Sequence, residues 1–281
     1  MEKCYWKKVN STKLKGTPYS LIGYSVAARN TGFYIPELRV ALDCGVPANH
    51  SPEHIFITHC HLDHCGCLPN IIIDMGSIQP EIITPKAAEE QVRNYIHHTF
   101  VMTKNNSKPN IHNKYKLIGS NFGDRIFTNI KKMPYVIDVF KSFHTVPCVS
   151  YGFSEIRTKL KPELKGLDQF ELEKMKLSGI EITNTIEVPQ FCYMGDTDER
   201  IFTNPIIQKY PTIIVECTFL YDEHLKNAQK DKHMHWSKLK PFIEIYTDIT
   251  FILIHFSSRY SDDEINDFFK DKKLENMLVW C

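Results

Sequence analysis

Side chains that bind metal ions are concentrated in residues 58–66 of this sequence. They are three histidines and one aspartate: His59, His61, Asp63 and His64. Because the apolar run 55–57 precedes them, we predict a buried strand that ends in a ligand-rich loop. On an extended segment His59, His61 and Asp63 would point one way, and the following turn would carry His64 to a second position. Imidazole and carboxylate groups together suit zinc, iron or manganese, and a carboxylate can orient water for hydrolysis.

Three more candidate ligands follow apolar runs further along the chain. They are His144, Asp196 and His255, each placed directly after a segment rich in β-branched and aromatic residues. An aspartate after a glycine is usually a turn-former or a helix cap. The repeated placement at strand ends favours a shared site instead, and the glycine before Asp196 predicts a sharp turn that brings its carboxylate between two ions.

The elements that must position these ligands are predicted mainly as strands. Residues 19–28 and 32–42 have strand composition, and the segment 30–32 predicts the turn of an opening hairpin. The hairpin ends at Asp43, where an acidic residue and a glycine often indicate only a tight turn but could also approach the ligand loop from beneath as an outer partner of the site. Helical spacing over residues 86–103 predicts a helix after the ligand loop.

Length and composition bound the class of protein. The chain has 281 residues, 42% of them apolar and 24% charged, and no repeat or linker divides it, so we predict one soluble domain. Nine cysteines without the spacing of a disulfide framework predict reduced thiols. Cys65 and Cys67 could bind metal or oxidise, but small buried thiols are the favoured interpretation. No apolar run reaches the length of a membrane span and the start lacks a signal peptide, so a cytoplasmic or nuclear protein is expected.

The order and spacing of these residues resemble those of the metallo-β-lactamase superfamily. The pattern H-x-H-x-D-H of residues 59–64 carries the likeness to the superfamily. The phrases 144–153, 216–219 and 255–260 are similar to motifs of its tRNase Z (ribonuclease Z) branch. The resemblance covers the whole chain and implies an α/β fold, a four-layer αββα sandwich with a dinuclear metal centre between the sheet edges.

The resemblance also implies a role for each candidate ligand. Two divalent ions are expected, zinc first, with manganese or iron as alternatives. His59, His61 and His144 would hold one ion, Asp63, His64 and His255 the other, and Asp196 would bridge them. Water between two cations loses a proton near neutral pH, and Asp63 would orient it or act as the base.

A proton donor for the leaving oxygen is expected at His233. In the family a histidine ahead of a helix pairs with a glutamate, and His233 and Glu216 match those two positions. A carboxylate beside an imidazole raises its pKa and fixes its tautomer, as an acid at neutral pH requires. Met234 and His235 depart from the family pattern, so His235 is the alternative acid and a structural role for either histidine stays open. Ser237 is expected to cap the following helix.

The substrate is inferred from the charge distribution and the insert at 157–189. The net charge is only +1, but basic residues exceed acidic ones by seven between positions 104 and 176, which would attract a polyanion. We predict a basic insert at the position of the arm by which the family grips tRNA. It lacks the arm's Gly-Pro pair, and a solvated helix face is the alternative explanation of its charges.

Three functions follow as hypotheses. The first is an endoribonuclease that processes the 3′ end of precursor tRNA, with RNA as partner and a homodimer by analogy. The second is a phosphodiesterase or other hydrolase of smaller esters, and the third is a non-catalytic nucleic-acid-binding relative. The complete ligand set argues against the third, and Glu216 with His233 favours phosphodiester cleavage over other hydrolysis.

Overall fold

The computed structural model describes residues 9–47, 50–105, 111 and 113–281. In these residues an eight-stranded sheet packs against a seven-stranded sheet. The first sheet consists of β1 (Asn10–Lys13), β2 (Ser20–Ala27), β3 (Asn30–Ile35), β4 (Val40–Leu42), β5 (His54–Phe56), β6 (Glu81–Pro85) and β7 (Lys116–Ser120) in that order, with β14 (Phe256–Ser257) beside β2. The second, in spatial order, consists of β15 (Met277–Val279), β13 (Thr250–Ile254), β12 (Thr212–Glu216), β11 (Thr183–Tyr193), β10 (Val149–Leu160), β9 (Met133–Lys141) and β8 (Arg125–Ile130).

Helices connect the strands in the described part of the chain. They are α1 (Leu62–Cys65), α2 (Leu68–Asp74), α3 (Glu89–Lys104), α4 (Gln169–Leu177), α5 (Leu225–Asp231), α6 (Trp236–Ile245) and α7 (Asp262–Phe269). One apolar core lies between the sheets and joins Phe33 and Phe56 of the first to Tyr151 of the second. A second core packs α6 and α7 on the second sheet, and a third packs α2 and α3 on the first. The expected four-layer αββα sandwich is therefore confirmed.

The opening hairpin differs in detail from the sequence prediction. β2 and β3 pair antiparallel, as predicted, but the turn lies at Ala28 and Arg29 because Asn30 already pairs with Val26. The predicted strand 32–42 is divided by a turn into β3 and β4, which pair with each other. The predicted helix 86–103 begins as a short 3₁₀ turn before α3.

Strand direction explains why distant candidate ligands meet. β11, β12 and β13 are mutually parallel, so the residues that follow them lie at one edge of the second sheet. β9 is antiparallel to β10, which is antiparallel to β11, so the end of β9 reaches that same edge. This edge therefore collects His144, Asp196, Glu216 and His255.

The insert forms an arm of two long strands and one helix. β10 and β11 remain paired out to Leu160 and Thr183, and α4 lies between them. Residues 157–189 contain six basic and six acidic side chains, so the basic character predicted for this range is wrong. The excess of positive charge lies upstream instead, between residues 104 and 141.

The cysteines and the helices relate to two expectations that were drawn from composition. The cysteines within the described ranges are free thiols. Among the described residues, no helix is both long enough and apolar enough to cross a bilayer.

Candidate metal centre

The ligand loop is a short bend followed by a helical turn, not an extended segment. His61 accepts backbone hydrogen bonds from His64 at 2.9 Å and from Cys65 at 3.0 Å, which starts α1 at Leu62. The side chains therefore alternate as in an extended chain only as far as His61. The prediction that Asp63 belongs to the same extended segment as His59 and His61 is wrong. The helical turn still brings Asp63 and His64 towards the same cleft.

The structure brings the seven candidate ligands together in two groups. In each group the ligand atoms lie within 4.8 Å of one another. The first group contains His59, His61, His144 and Asp196, and the second contains Asp63, His64 and His255. These two groups divide the ligands as the resemblance implies, and a third group joins Asp196 and His255 to His233.

Asp196 lies between the two groups. Its Oδ2 is 3.6 Å from Nε2 of His59 and 3.5 Å from Nε2 of His255, while its Oδ1 is 3.5 Å from Nε2 of His64. Because Oδ2 lies near a histidine of each group and Oδ1 lies near His64 of the second group, this carboxylate can bridge two cations. A Cβ at Gly195 would clash with Cys148 and Thr58, and the backbone of Gly195 is not left-handed. Close packing therefore requires the glycine, and the sharp turn that we predicted does not.

Outer partners orient the imidazoles towards the cluster. Nδ1 of His59 lies 3.1 Å from the Thr58 hydroxyl, and Nδ1 of His144 donates to the carbonyl of Lys232 at 3.2 Å. Nδ1 of His255 lies 3.1 Å from the hydroxyl of Thr218. In each of these rings the other nitrogen, Nε2, remains for the cluster, which is the arrangement that metal-ligating histidines commonly have. The donor set therefore fits divalent cations that accept imidazole nitrogen and carboxylate oxygen.

Asp43 lies beneath the ligand loop, as the sequence predicted. Its Oδ2 accepts hydrogen bonds from Nδ1 of His64 at 2.8 Å and from the hydroxyl of Tyr193 at 2.7 Å. Its Oδ1 accepts from the amide of Thr58 at 2.7 Å. Gly45 follows closely, and a Cβ there would overlap the carbonyl of Asp63. The strand end thus supports both sides of the loop.

The charges of the cluster favour bound cations. Burial lowers the pKa of His59 well below its ordinary value, so this imidazole is neutral and its lone pair is free to bind a metal. Burial also lowers the pKa of His64, but the charges of Asp196 and Asp43 raise it well above the ordinary value, so the position favours a positive charge. Burial raises the pKa of Asp63, yet a hydrogen bond from His255 and the charges of His64 and His255 lower it to about 2. Asp63 is therefore ionised at neutral pH.

His233 and Glu216 form the pair that the sequence suggested. Nδ1 of His233 donates to Oε1 of Glu216 at 2.9 Å and lies 3.9 Å from Oδ2 of Asp196. Burial lowers the pKa of His233, but the charge and hydrogen bond of Glu216 and the charge of Asp196 raise it to about 9. Glu216 is held by the amides of Thr197 at 2.7 Å and Met234 at 3.0 Å. The protonated imidazole is thus placed beside the cluster.

His235 does not share this environment. Its Nδ1 accepts a hydrogen bond from the amide of Ser237 at 3.1 Å, and its Nε2 donates to the carbonyl of Tyr221 at 3.0 Å. It is the N-cap of α6, so the prediction that Ser237 caps this helix is wrong. An aromatic ring can take the role of a capping hydroxyl because its nitrogen accepts the same amide proton.

The cluster lies in an open cleft, and several of its supports were missed by sequence reasoning. Leu62, Phe219 and Arg259 contribute to the cleft walls together with the ligands. Thr218, which lies between the motif residues Glu216 and Phe219, has its hydroxyl 2.9 Å from the carbonyl of His255 and donates to Glu216. Its one sequence signal is a hydroxyl residue two positions after a strand that ends in a candidate acid partner.

Comparison with known proteins gives the following similarities. No protein-family model matches the chain. The chain is 31% identical over 270 residues to tRNase Z TRZ1 of Arabidopsis thaliana, which covers 93% of this chain and 92% of that relative. The metallo-β-lactamase fold protein YhfI from Bacillus subtilis matches 94% of this chain and 96% of its own, with a TM-score of 0.59 and 14% identity. The human short-form tRNase Z matches 84% of this chain and 92% of its own, with a TM-score of 0.51 and 15% identity.

Proposed function

Since this chain belongs to the tRNase Z family of metal-dependent hydrolases, we propose that it is an endoribonuclease that processes the 3′ end of precursor tRNA. The observation that carries the proposal is the arrangement of two ligand groups on either side of Asp196, with His233 beside them. A proton donor next to a two-cation site suits cleavage of a phosphodiester, because the attacking and leaving oxygens both need charge stabilisation.

We assign the candidate ligands to two divalent ions. His59, His61 and His144 would hold one, Asp63, His64 and His255 the other, and Asp196 both. When bound, the ions supply Lewis-acid stabilisation of the phosphate oxygens and an activated water molecule. Zinc is the proposed metal because imidazole-rich sites with carboxylates suit it, and manganese and iron are the alternatives.

The chain's own groups supply the proton transfers. Asp63, which is ionised at neutral pH, accepts a hydrogen bond from the amide of Ala28 at 2.8 Å and can orient the attacking water or take its proton. His233 holds a proton on its ring and would donate it to the leaving ribose oxygen. Glu216 keeps that imidazole protonated and fixes which nitrogen faces the substrate.

The RNA substrate is supported by family membership and by the cleft. The relative from Arabidopsis thaliana is named a tRNase Z, and the open cleft leaves the cluster accessible to a polymer. The arm carries no net charge, so we propose that it contributes shape and individual contacts rather than a general attraction for RNA. The homodimer expected by analogy stays a prediction.

A direct comparison of two substrates tests this function. The purified protein, supplied with zinc or manganese, is offered a precursor tRNA and bis(p-nitrophenyl) phosphate in parallel. We expect a cut at the 3′ end of the tRNA sequence at low enzyme concentration, and slower hydrolysis of the ester. Hydrolysis of the ester without any cut in the precursor would instead favour the hypothesis of a small-molecule phosphodiesterase.

A further inference from the structure

Aromatic rings and cations alternate on the surface beside the candidate metal centre. The ammonium of Lys141 lies 5.5 Å from the ring centre of Phe122 and 5.1 Å from that of Phe143. The guanidinium of Arg200 lies 4.5 Å from the ring centre of Phe143. We call Phe122, Lys141, Phe143 and Arg200 the aromatic row. Each cation is close enough to its ring for a cation–π interaction.

The outer end of the aromatic row is fixed to the second sheet. Phe122 lies in the loop between β7 and β8, where the amide of Gly123 donates to the carbonyl of Val139 at 2.8 Å. The amide of Asn121 donates to Oδ2 of Asp124 at 2.7 Å, which closes the loop on itself. Despite these bonds the Phe122 side chain is 63% exposed. A well-anchored loop thus presents a flat apolar ring to the solvent.

The inner end of the aromatic row reaches the candidate metal centre. Phe143 directly precedes His144, and its amide donates to the hydroxyl of Thr197 at 2.9 Å. Thr197 follows Asp196 in the sequence, and its amide in turn donates to Glu216 at 2.7 Å. The row therefore leads from the proposed ligands and proton donor outwards along the surface.

The chemistry of the aromatic row matches unpaired RNA. The exposed ring of Phe122 and the half-buried ring of Phe143 can stack on unpaired bases, and Lys141 can attract the phosphate between them. Arg200 is already paired with the carboxylate of Asp198, so it supports the ring of Phe143 and is not a free cation. Bases within a duplex are already stacked on each other and offer no such face. Within the described ranges, Lys141 forms no ion pair with a carboxylate, so its charge is available to a phosphate.

We infer that the aromatic row binds unpaired nucleotides of the RNA substrate next to the bond that is cut. This inference rests on the proposed endoribonuclease function. Stacking on Phe122 and Phe143 would guide a single strand to the cluster, and Lys141 would contact a phosphate between the two stacked bases. The row would then add to affinity for substrates with a single-stranded extension.

Phe127 offers a matched control for Phe122. It lies on β8, is 66% exposed, and has the guanidinium of Arg125 at 5.6 Å from its ring centre. Arg125, unlike Lys141, is bound to the carboxylates of Asp138 and Glu187. Phe127 therefore has a similar ring and exposure without a free cation or a connection to His144.

The test measures binding of RNA by fluorescence anisotropy with the full-length protein in chelator, so that no cleavage occurs. The probes are a labelled unpaired oligonucleotide and a blunt RNA duplex. We expect Phe122→Ala to weaken oligonucleotide binding about 5- to 100-fold and to leave duplex binding unchanged, as for loss of one stacked base. Lys141→Ala should reduce the slope of log affinity against log salt by about one, and Phe127→Ala should have no effect.

Equal effects of Phe122→Ala and Phe127→Ala, or no effect of either, would overturn the inference. Equal losses on the oligonucleotide and the duplex would also overturn it, because stacking on unpaired bases could not be the cause. Unchanged hydrolysis of bis(p-nitrophenyl) phosphate verifies that the variants are folded. If the protein cuts no RNA but binds the oligonucleotide through Phe122, the proposed function fails, and of this inference only the binding of unpaired nucleotides by the aromatic row stands. If the protein cuts RNA but neither cleavage nor binding depends on Phe122, the proposed function stands and this inference fails.

Discussion

Substitution of His233 by alanine should affect substrates according to the basicity of their leaving groups. A ribose oxygen leaves as a strongly basic alkoxide and needs a proton, whereas p-nitrophenolate is weakly basic and leaves without one. We therefore expect His233→Ala to lower kcat for RNA about 10²–10⁴-fold and to lower kcat for bis(p-nitrophenyl) phosphate less than about tenfold.

The structure explains why His233 holds the proton that this effect requires. The pKa of about 9 for His233 exceeds the ordinary value by an amount equivalent to roughly 3 kcal/mol of preference for the protonated ring. Loss of a general acid at 10²–10⁴-fold corresponds to about 3–5 kcal/mol of transition-state stabilisation, and the raised pKa means that this proton is present at neutral pH. Glu216→Gln should remove part of the preference of His233 for the protonated ring. The acid form is lost as pH rises through its pKa, so the alkaline limb of the pH profile should move to lower pH in this variant.

The assay compares kcat against pH for both substrates in the wild type and in the variants His233→Ala, Glu216→Gln and His98→Ala. His98 is an exposed histidine on α3 and serves as the control. Equal losses of kcat on both substrates in His233→Ala would refute the reasoning. Because His233 is also grouped with Asp196 and His255 by distance, that result would make it a metal ligand or a structural residue instead.

Other substitutions test the ligands, the backbone beneath them and the arm. His64→Ala and Asp196→Ala should each abolish hydrolysis of both substrates and reduce bound metal measured by mass spectrometry, with an unchanged far-ultraviolet circular dichroism spectrum; full activity in either would contradict the two-ion assignment. Gly45→Ala would push a methyl group into the carbonyl of Asp63, so we expect a loss of about 1–3 kcal/mol in the free energy of unfolding and weaker metal binding in a chelator competition. Replacement of residues 161–182 by a short turn should weaken cleavage of precursor tRNA and spare the ester, whereas equal losses would make the arm a purely structural element.

The ligand positions could be predicted from the sequence because each follows an apolar run. His144, Asp196 and His255 come directly after strands of one sheet, and parallel strands place such residues at a common edge. Asp43 could be predicted on the same grounds, since its strand pairs beside β5. Local composition was sufficient here because strand ends carry both the apolar signal and the polar residue.

The supports of the ligands could not be predicted in this way. Tyr193 donates its hydroxyl to Asp43 across 150 positions of sequence, and in the sequence it is only a strand-forming aromatic residue. His235 has a metal-binding side chain but serves as a helix cap, because the geometry of its neighbours decides what its nitrogens contact. The arm misled the charge argument for a related reason: the positive excess counted over a long window belonged to residues outside it.

Backbone strain on both sides of the cluster is stabilised by contacts with residues outside the ligand pattern. Asp43 and His255 have left-handed φ values of 58° and 61°, which cost non-glycine residues about 1–3 kcal/mol each. Asp43 is held there by the bonds to its carboxylate, and the carbonyl of His255 lies 2.9 Å from the hydroxyl of Thr218. Residues outside the ligand pattern therefore determine where the ligands point, and preorganisation of this kind is what electrostatic stabilisation of a phosphodiester transition state requires.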